Sequence, residues 1–312
     1  MPAAEATVFC MTPTTFNKDG SIDEDAFRVH LRRLVAAKTG LFLPGGGAGE
    51  GHVLTPKEMG RLYRVGVEEA RGKVPVYAGC RESRSAAALL EIATEAERAG
   101  VDLIQMYQLD NGHGMIPTQR EQEAYWYELL DTIKTPVAIS IHYDAKFKAT
   151  PEFMQRLVKK YDHIVALNVV GSAIGWFIMM RAELPERIKF YVGAPEFIMH
   201  STLGAAGYIN PSNNMIPFTC RALVDAWNRE DYRMAAKANG AIQRFLAVMN
   251  QWAPSTARWV KMAMKVMGTG NGVLRLPYVL PPEEELKKMS DQMDALRVRE
   301  IEAEARDYVL KA

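Results

Sequence analysis

Apolar residues along this chain fall into two alternating patterns. Short, nearly uninterrupted apolar runs lie at Ala6–Thr12, Leu41–Leu43, Val74–Ala78, Val101–Tyr107, Pro136–His142, Ile164–Val169, Lys189–Val192 and Gly207–Asn210. Each predicts a strand buried on both faces, as in a parallel sheet covered by helices. Between the runs, apolar positions recur three or four apart. A helix is predicted to begin at Ser21–Asp23, with Phe27, Leu31 and Leu34 on one face. Others are predicted over Met59–Ala70, Ser83–Ala99, Thr118–Ile133, Pro151–Tyr161, Ser172–Leu184 and Glu196–Leu203. Eight strand–helix units in this length fit a closed (β/α)8 TIM barrel, an α/β fold, better than an open sheet.

After Pro211 the pattern changes. Ile216–Asn228, Asp231–Asn250 and Thr256–Met267 predict helices with no strands between them. The tail from Pro281 predicts one long charged helix with an apolar stripe of Leu286, Met289, Met293 and Leu296. The expected division is a barrel over residues 1–211 and a C-terminal helical region over 212–312.

The stretch Leu41–Met59 carries the strongest local signals. A strand runs into a turn with glycines at 45, 46, 47, 49 and 51. A helix then opens with Thr55 as N-cap, Pro56 at its first position and Glu58 closing a capping box. Glu50 and His52 stand in the turn, which reads as too open for packing and as a place where backbone amides approach a ligand. The spacing matches neither a P-loop nor a dinucleotide fingerprint.

Composition narrows the function. The chain has 312 residues, 48% of them hydrophobic and 24% charged, with a net charge of +1. That gives no electrostatic reason to expect nucleic acid or a membrane surface as partner. Cys10, Cys80 and Cys220 are far apart and form no CxxC, so neither a disulfide framework nor a structural zinc site is expected. No basic leader precedes a long apolar run and no apolar stretch is long enough to span a bilayer, which favours a cytoplasmic protein.

Five motifs in order resemble the dihydrodipicolinate synthase and N-acetylneuraminate lyase family of barrel aldolases. They are Thr12-Pro13 with Asp19-Gly20, Gly46-Gly47-Ala48-Gly49-Glu50, Val74-Pro75-Val76-Tyr77-Ala78-Gly79, Gly204–Ile209 with Asn214, and Leu274-Arg275-Leu276-Pro277. The resemblance covers most of the chain and implies the barrel, a small carboxylate substrate and a homo-oligomer, dimer or tetramer. Its chemistry does not carry over whole. Gly47 and Ala48 stand where the family has carboxylate-binding hydroxyls. Asn168 stands where the family has its Schiff-base lysine, and an amide forms no imine. Ser140 is the ungapped match for the fifth-strand tyrosine, with His142 two residues on. The tyrosine expected after the fourth strand is missing, with Asp110 near that place.

In this barrel, catalytic groups lie at the C-terminal ends of the strands. The groups there are Glu50 and His52, Arg81, Asp110 and His113, His142, Tyr143 and Asp144, Asn168, Glu196 and Asn210. These predict a lyase-type enzyme, an aldolase or a hydratase/dehydratase, acting on a small carboxylate or oxo acid without a lysine imine. Arg81 and the turn Gly47, Ala48, Gly49 and Glu50 would hold the carboxylate. His142, with Tyr143, would move the proton. Asn168 and Asn210 would hydrogen-bond a developing oxyanion. No cofactor is called for. A variant has Asp110, His113, His142 and Glu50 holding a divalent metal in the imine's stead. Two alternatives stand beside this reading: an imine aldolase using Lys146 or Lys148, and a barrel that binds a metabolite without catalysis. His30 and His163 read as structural or surface residues, and His200 has no clear role.

Overall fold

The structure is a computed structural model and describes residues 5–44, 47–109, 115–142, 149–170, 174–252 and 256–311. Eight parallel strands close into a barrel in sequence order: β1 (Thr7–Met11), β2 (Gly40–Leu43), β3 (Val76–Gly79), β4 (Leu103–Tyr107), β5 (Val137–His142), β6 (Ile164–Val170), β7 (Lys189–Val192) and β8 (Gly207–Asn210). β8 pairs with β1, so the ring has no edge. The apolar runs predicted all eight. β3 starts later than its run because Pro75 has no N–H to offer a ladder, and Val76 N instead donates to Asp102 Oδ2 at 2.7 Å.

Helices α1 (Glu24–Ala36), α2 (Pro56–Ala70), α3 (Ala86–Ala99), α4 (Gln119–Thr132), α5 (Pro151–Lys160), α6 (Ile174–Glu183), α7 (Phe197–Ser201) and α8 (Pro217–Asn228) follow the eight strands in turn. Residues that mark helix starts in the sequence are caps in the structure. Asp23, Ser85, Thr118 and Thr150 each accept an amide of the following helix's first turn. Thr55 and Glu58 form the expected capping box. Among the described residues no helix is long and apolar enough to cross a membrane.

Side chains alternate across the barrel wall. Outward residues such as Val8, Cys10, Leu41, Ile104 and Leu167 join the core beneath the helices. Inward residues Phe9, Phe42, Leu103, Ala138, Ala166, Tyr191 and Ile209 form a separate cluster inside the ring. Phe9 stacks on Tyr77 with ring centres 4.0 Å apart and meets Tyr191 edge-on at 5.5 Å. Gly40 makes room for this: a Cβ there would lie 2.5 Å from the Phe9 ring.

The outer ring of helices runs on past Pro211, for α8 packs against β1. Then come α9 (Tyr232–Met249), α10 (Thr256–Met267), α11 (Glu283–Ala295) and α12 (Val298–Leu310). The single long tail helix expected from the sequence is two. Leu296 ends α11, and Arg297 turns the chain in a left-handed conformation, φ 53°, so that α12 folds back onto α8. Leu286, Met289 and Met293 are buried as the stripe predicted.

α12 holds α8 by its start. Glu302 accepts hydrogen bonds from Phe218 N at 2.8 Å, Thr219 N at 2.8 Å and Thr219 Oγ1 at 2.7 Å. It serves as a cap borrowed from elsewhere in the chain, since Ile216 provides none. Glu302→Ala should lower unfolding stability by about 2 kcal/mol, the cost of removing a buried cap and leaving its donors unpaired. An unchanged urea midpoint would show that this contact does not hold the tail. Burial pushes the Glu302 carboxyl up from its usual 4.5 to about 7. The folded state therefore keeps a proton that the unfolded chain loses, and this group's contribution to stability falls as pH rises from 4.5 to about 7. Wild type measured against Glu302→Gln should show that decline; parallel stability curves across this range would contradict it.

Candidate active site

Register brings a row of polar side chains together near the C-terminal end of the barrel. Tyr107 of β4 lies opposite Ser140 of β5, Ser140 opposite Asn168 of β6, and Asn168 opposite Tyr191 of β7. Each is an even number of residues from an inward neighbour on its own strand, Leu103, Ala138 or Ala166. They therefore share the inner face. Gln105 sits one inward step below Tyr107 and donates from Nε2 to its hydroxyl at 3.1 Å.

These groups are almost wholly removed from solvent, with Gln105 at 0%, Ser140 at 1% and Asn168 at 1% exposure. Among the described residues, Gln105 Oε1 and Asn168 Oδ1 have no hydrogen-bond partner. A buried polar atom left so costs about 1–3 kcal/mol. Two such atoms on one inner face are out of place in a packed barrel and in keeping with a site that binds a polar ligand. Burial, with the charge of Glu82, pushes the Tyr107 phenol well above its ordinary pKa. It therefore stays a neutral hydroxyl at physiological pH.

The glycine turn departs from its sequence reading. Glu50 does not stand in an open turn; it is fully buried. It adopts a left-handed conformation, φ 57°, and pairs with Lys261 of α10 at 2.6 Å. Lys261 also donates to Val273 O and lies over the Phe16 ring, 4.5 Å from its centre. Burial lowers the pKa of this lysine while the charge of Glu50 works against that shift. Gly49 is anchored by Thr14 Oγ1, which donates to its carbonyl at 2.8 Å. Gly47 stays exposed and Ala48 is buried. Arg81 is half-buried and donates from Nη1 to Leu54 O at 2.9 Å, tying the end of β3 to the far side of the same turn. His52 is exposed and meets the Tyr278 ring edge-on at 5.2 Å.

Asn210 does not belong with these groups. It follows inward Ile209, and its side chain faces the helices, accepting from Ser212 N at 3.1 Å with Nδ2 3.9 Å from Cys220 Sγ. It caps a short turn of 3-10 helix instead of reaching substrate. Asn214 is a structural centre: it accepts from Cys10 Sγ and His30 Nε2, and donates to Met11 O and Pro211 O. Burial holds the His30 pKa down at about 3, so the ring is neutral, in line with a structural role. His200 is also buried, its Nδ1 2.9 Å from Glu196 O.

Asp110, His113, Tyr143, Asp144, Lys146 and Lys148 lie outside the described residues. His142 is the last residue of β5, and its side chain lies outside them too. Among the described residues no group of three His, Cys, Asp or Glu side chains is placed to hold a metal. Of the four residues in the metal variant only Glu50 has a described side chain, and Lys261 occupies its carboxylate.

Sequence reasoning passed over Tyr107, Gln105 and Lys261. Gln105 had a signal, a lone amide in the apolar run Leu103-Ile104-Gln105-Met106-Tyr107. Lys261 had another, a lysine on the buried face of α10 between Val260 and Met262.

Comparison with known proteins places this arrangement. The model of the dihydrodipicolinate synthetase family matches residues 5–296. A 4-hydroxy-tetrahydrodipicolinate synthase of Chlorobium phaeovibrioides is 26% identical over 288 residues, 91% of this chain and 94% of that protein. A probable 5-dehydro-4-deoxyglucarate dehydratase of a Bradyrhizobium species is also 26% identical, over 294 residues, 91% of this chain and 90% of that one. Among solved structures, the dihydrodipicolinate synthase of Aquifex aeolicus superposes with a TM-score of 0.84 at 20% identity, covering 94% of this chain and 98% of its own. An E. coli K12 prophage protein solved in complex with pyruvate gives 0.85 at 19% identity, covering 94% and 99%. The barrel, the order of its motifs and a family match over nearly the whole length agree: the chain belongs to the dihydrodipicolinate synthetase family.

Proposed function

We propose that the protein is a lyase acting on a small carboxylate or oxo acid, and that it works by acid–base catalysis with no lysine imine. One observation carries this reading: Asn168, buried with an Oδ1 that has no partner among the described residues, holds the sixth-strand place at which the resemblance puts the imine-forming lysine. Its relatives include both a synthase and a dehydratase by name, which supports a lyase and leaves open whether the bond broken is C–C or C–O.

The roles follow from chemistry. The amide of Asn168 can donate from Nδ2 to a carbonyl oxygen and stabilise it as charge develops in an enolate. Tyr107, kept neutral by burial, is a second donor on the same inner face, one strand beyond Ser140. Arg81 and the Gly47–Ala48–Gly49 turn hold the carboxylate, a task suited to a planar guanidinium and backbone amides. His142 and Tyr143 carry the proton, with Asp110 and His113 as further acid–base candidates. Lys261 supports no relocated imine, because its ammonium is committed to Glu50 and Val273 O. A barrel without catalysis fits less well, since the inward positions toward the C-terminal end, Gln105, Tyr107, Ser140 and Asn168, are polar where apolar packing would serve. Exposed Ile178 and Met179 on α6 and Met199 on α7 support the expected dimer or tetramer.

Borohydride reduction in the presence of pyruvate tests the mechanism. Wild-type protein should gain no adduct by mass spectrometry, because ordinary lysines, with pKa about 10.4, are protonated and attack slowly. Asn168→Lys restores an amine at the matching position and should gain trapping with poor turnover. A stoichiometric adduct on any wild-type lysine overturns the non-imine mechanism. In a turnover assay over a panel of 2-oxo acids, Asn168→Leu should lower kcat by about 100-fold, as expected for loss of an oxyanion donor. An unchanged kcat removes Asn168 from the chemistry.

A further inference from the structure

The opposite, N-terminal end of the barrel opens into a cavity of about 630 Å³. Its origin is the uneven size of the inward residues. β1 and β2 supply Phe9 and Phe42, whereas β5 and β6 supply Ala138 and Ala166. The aromatic side fills its half of the ring and the alanine side leaves a hollow, walled by Leu103, Val165, Pro75 and Pro136. Tyr77 forms part of the lining. Its hydroxyl lies 3.3 Å from that of Tyr191. Two phenols share one hydrogen bond, and the second O–H proton has no acceptor among the described residues.

The mouth is basic. Three cations, Lys73, Arg187 and Lys189, stand around it against one carboxylate, Asp102. Arg187 is spoken for, donating to Val158 O, Asp162 O and Ile164 O and lying 3.6 Å from Asp162 Oδ1. Asp102 is likewise engaged with Val76 N. The side-chain ammonium groups of Lys73 and Lys189 make no ion pair or hydrogen bond among the described residues. Lys189 opens β7, an even step from inward Tyr191 and opposite Ala166, so it stands on the barrel's inner side at the lip of the hollow. A free ammonium at the mouth, apolar walls and a phenolic proton inside together match an amphiphilic anion. The volume is in the range of small-molecule sites.

We propose that this cavity binds a small carboxylate with a flat apolar body, an aryl or unsaturated acid, at a site separate from the catalytic rim. The carboxylate meets Lys189 and Lys73, and the body lies between Val165, Leu103 and Tyr77. The assignment does not depend on the lyase mechanism, for it uses none of the same residues.

The test is a 19F NMR titration with 4-fluorobenzoate as probe and 4-fluorobenzyl alcohol as its uncharged counterpart. Wild type should bind the acid saturably in the millimolar range or tighter, and the alcohol far more weakly. Lys189→Gln should weaken binding of the acid by about tenfold, the loss of one charged contact. Lys73→Gln should weaken it too. Both lysines are exposed, so neither change threatens the fold. Asn168→Leu, at the other end of the barrel, should bind the probe as wild type does. Undiminished binding in Lys189→Gln, loss of binding in Asn168→Leu, or no saturable binding by wild type overturns the proposal.

Discussion

A closed ring of parallel strands has a single interior, and everything placed there must fit both the space and the hydrogen-bond balance. Each strand contributes only alternate residues, so a few positions decide what the barrel does. Here Phe9, Tyr77 and Tyr191 pack together across the middle. Gly40 is small because Phe9 is large. Above this plug the inward positions turn polar, through Gln105, Tyr107, Ser140 and Asn168; below it they shrink to alanine. The same alternation that sets the register thus divides the interior into a polar upper layer and an open lower one.

The glycine turn depends on a second constraint, the burial of Glu50. A carboxylate fully removed from water needs a countercharge, and Lys261 arrives from α10, far along the chain, to supply it. The pair ties the loop after β2 to the C-terminal helices. Arg275 reinforces the tie by reaching Glu58, Val53 O and Gly20 O. The C-terminal helices therefore help to build the rim, and Gly47 and Ala48 are held in place by contacts made behind them.

The barrel was legible because its signals are local: uninterrupted apolar runs, Ser, Thr and Asp caps, and Thr55 with Glu58 at the start of α2. What misled were residues whose partners are distant or whose local competition is hidden. Glu50 reads as a solvent-facing acid until Lys261 is placed beside it. Asn210 reads as a strand-end donor, yet its side chain is captured by Ser212 N two residues on, and an odd strand step turns it to the helices. The tail reads as one helix because Arg297 gives no glycine signal for its left-handed turn. Asn168 was legible as an anomaly by its place in the sixth strand. Its company was not, since Tyr107, Ser140 and Asn168 meet only through pairing across three strands.

The central claim is that Asn168 meets the substrate as a hydrogen-bond donor where an amine would have bonded to it. A crystal structure of wild-type protein soaked with pyruvate tests this most directly. The account predicts an intact oxo acid, its carbonyl oxygen about 3 Å from Asn168 Nδ2 and its carboxylate toward Arg81 and the Gly47–Gly49 turn. Density continuous from the ligand into a lysine Nζ, or a ligand seated in the rim without touching Asn168, would contradict it.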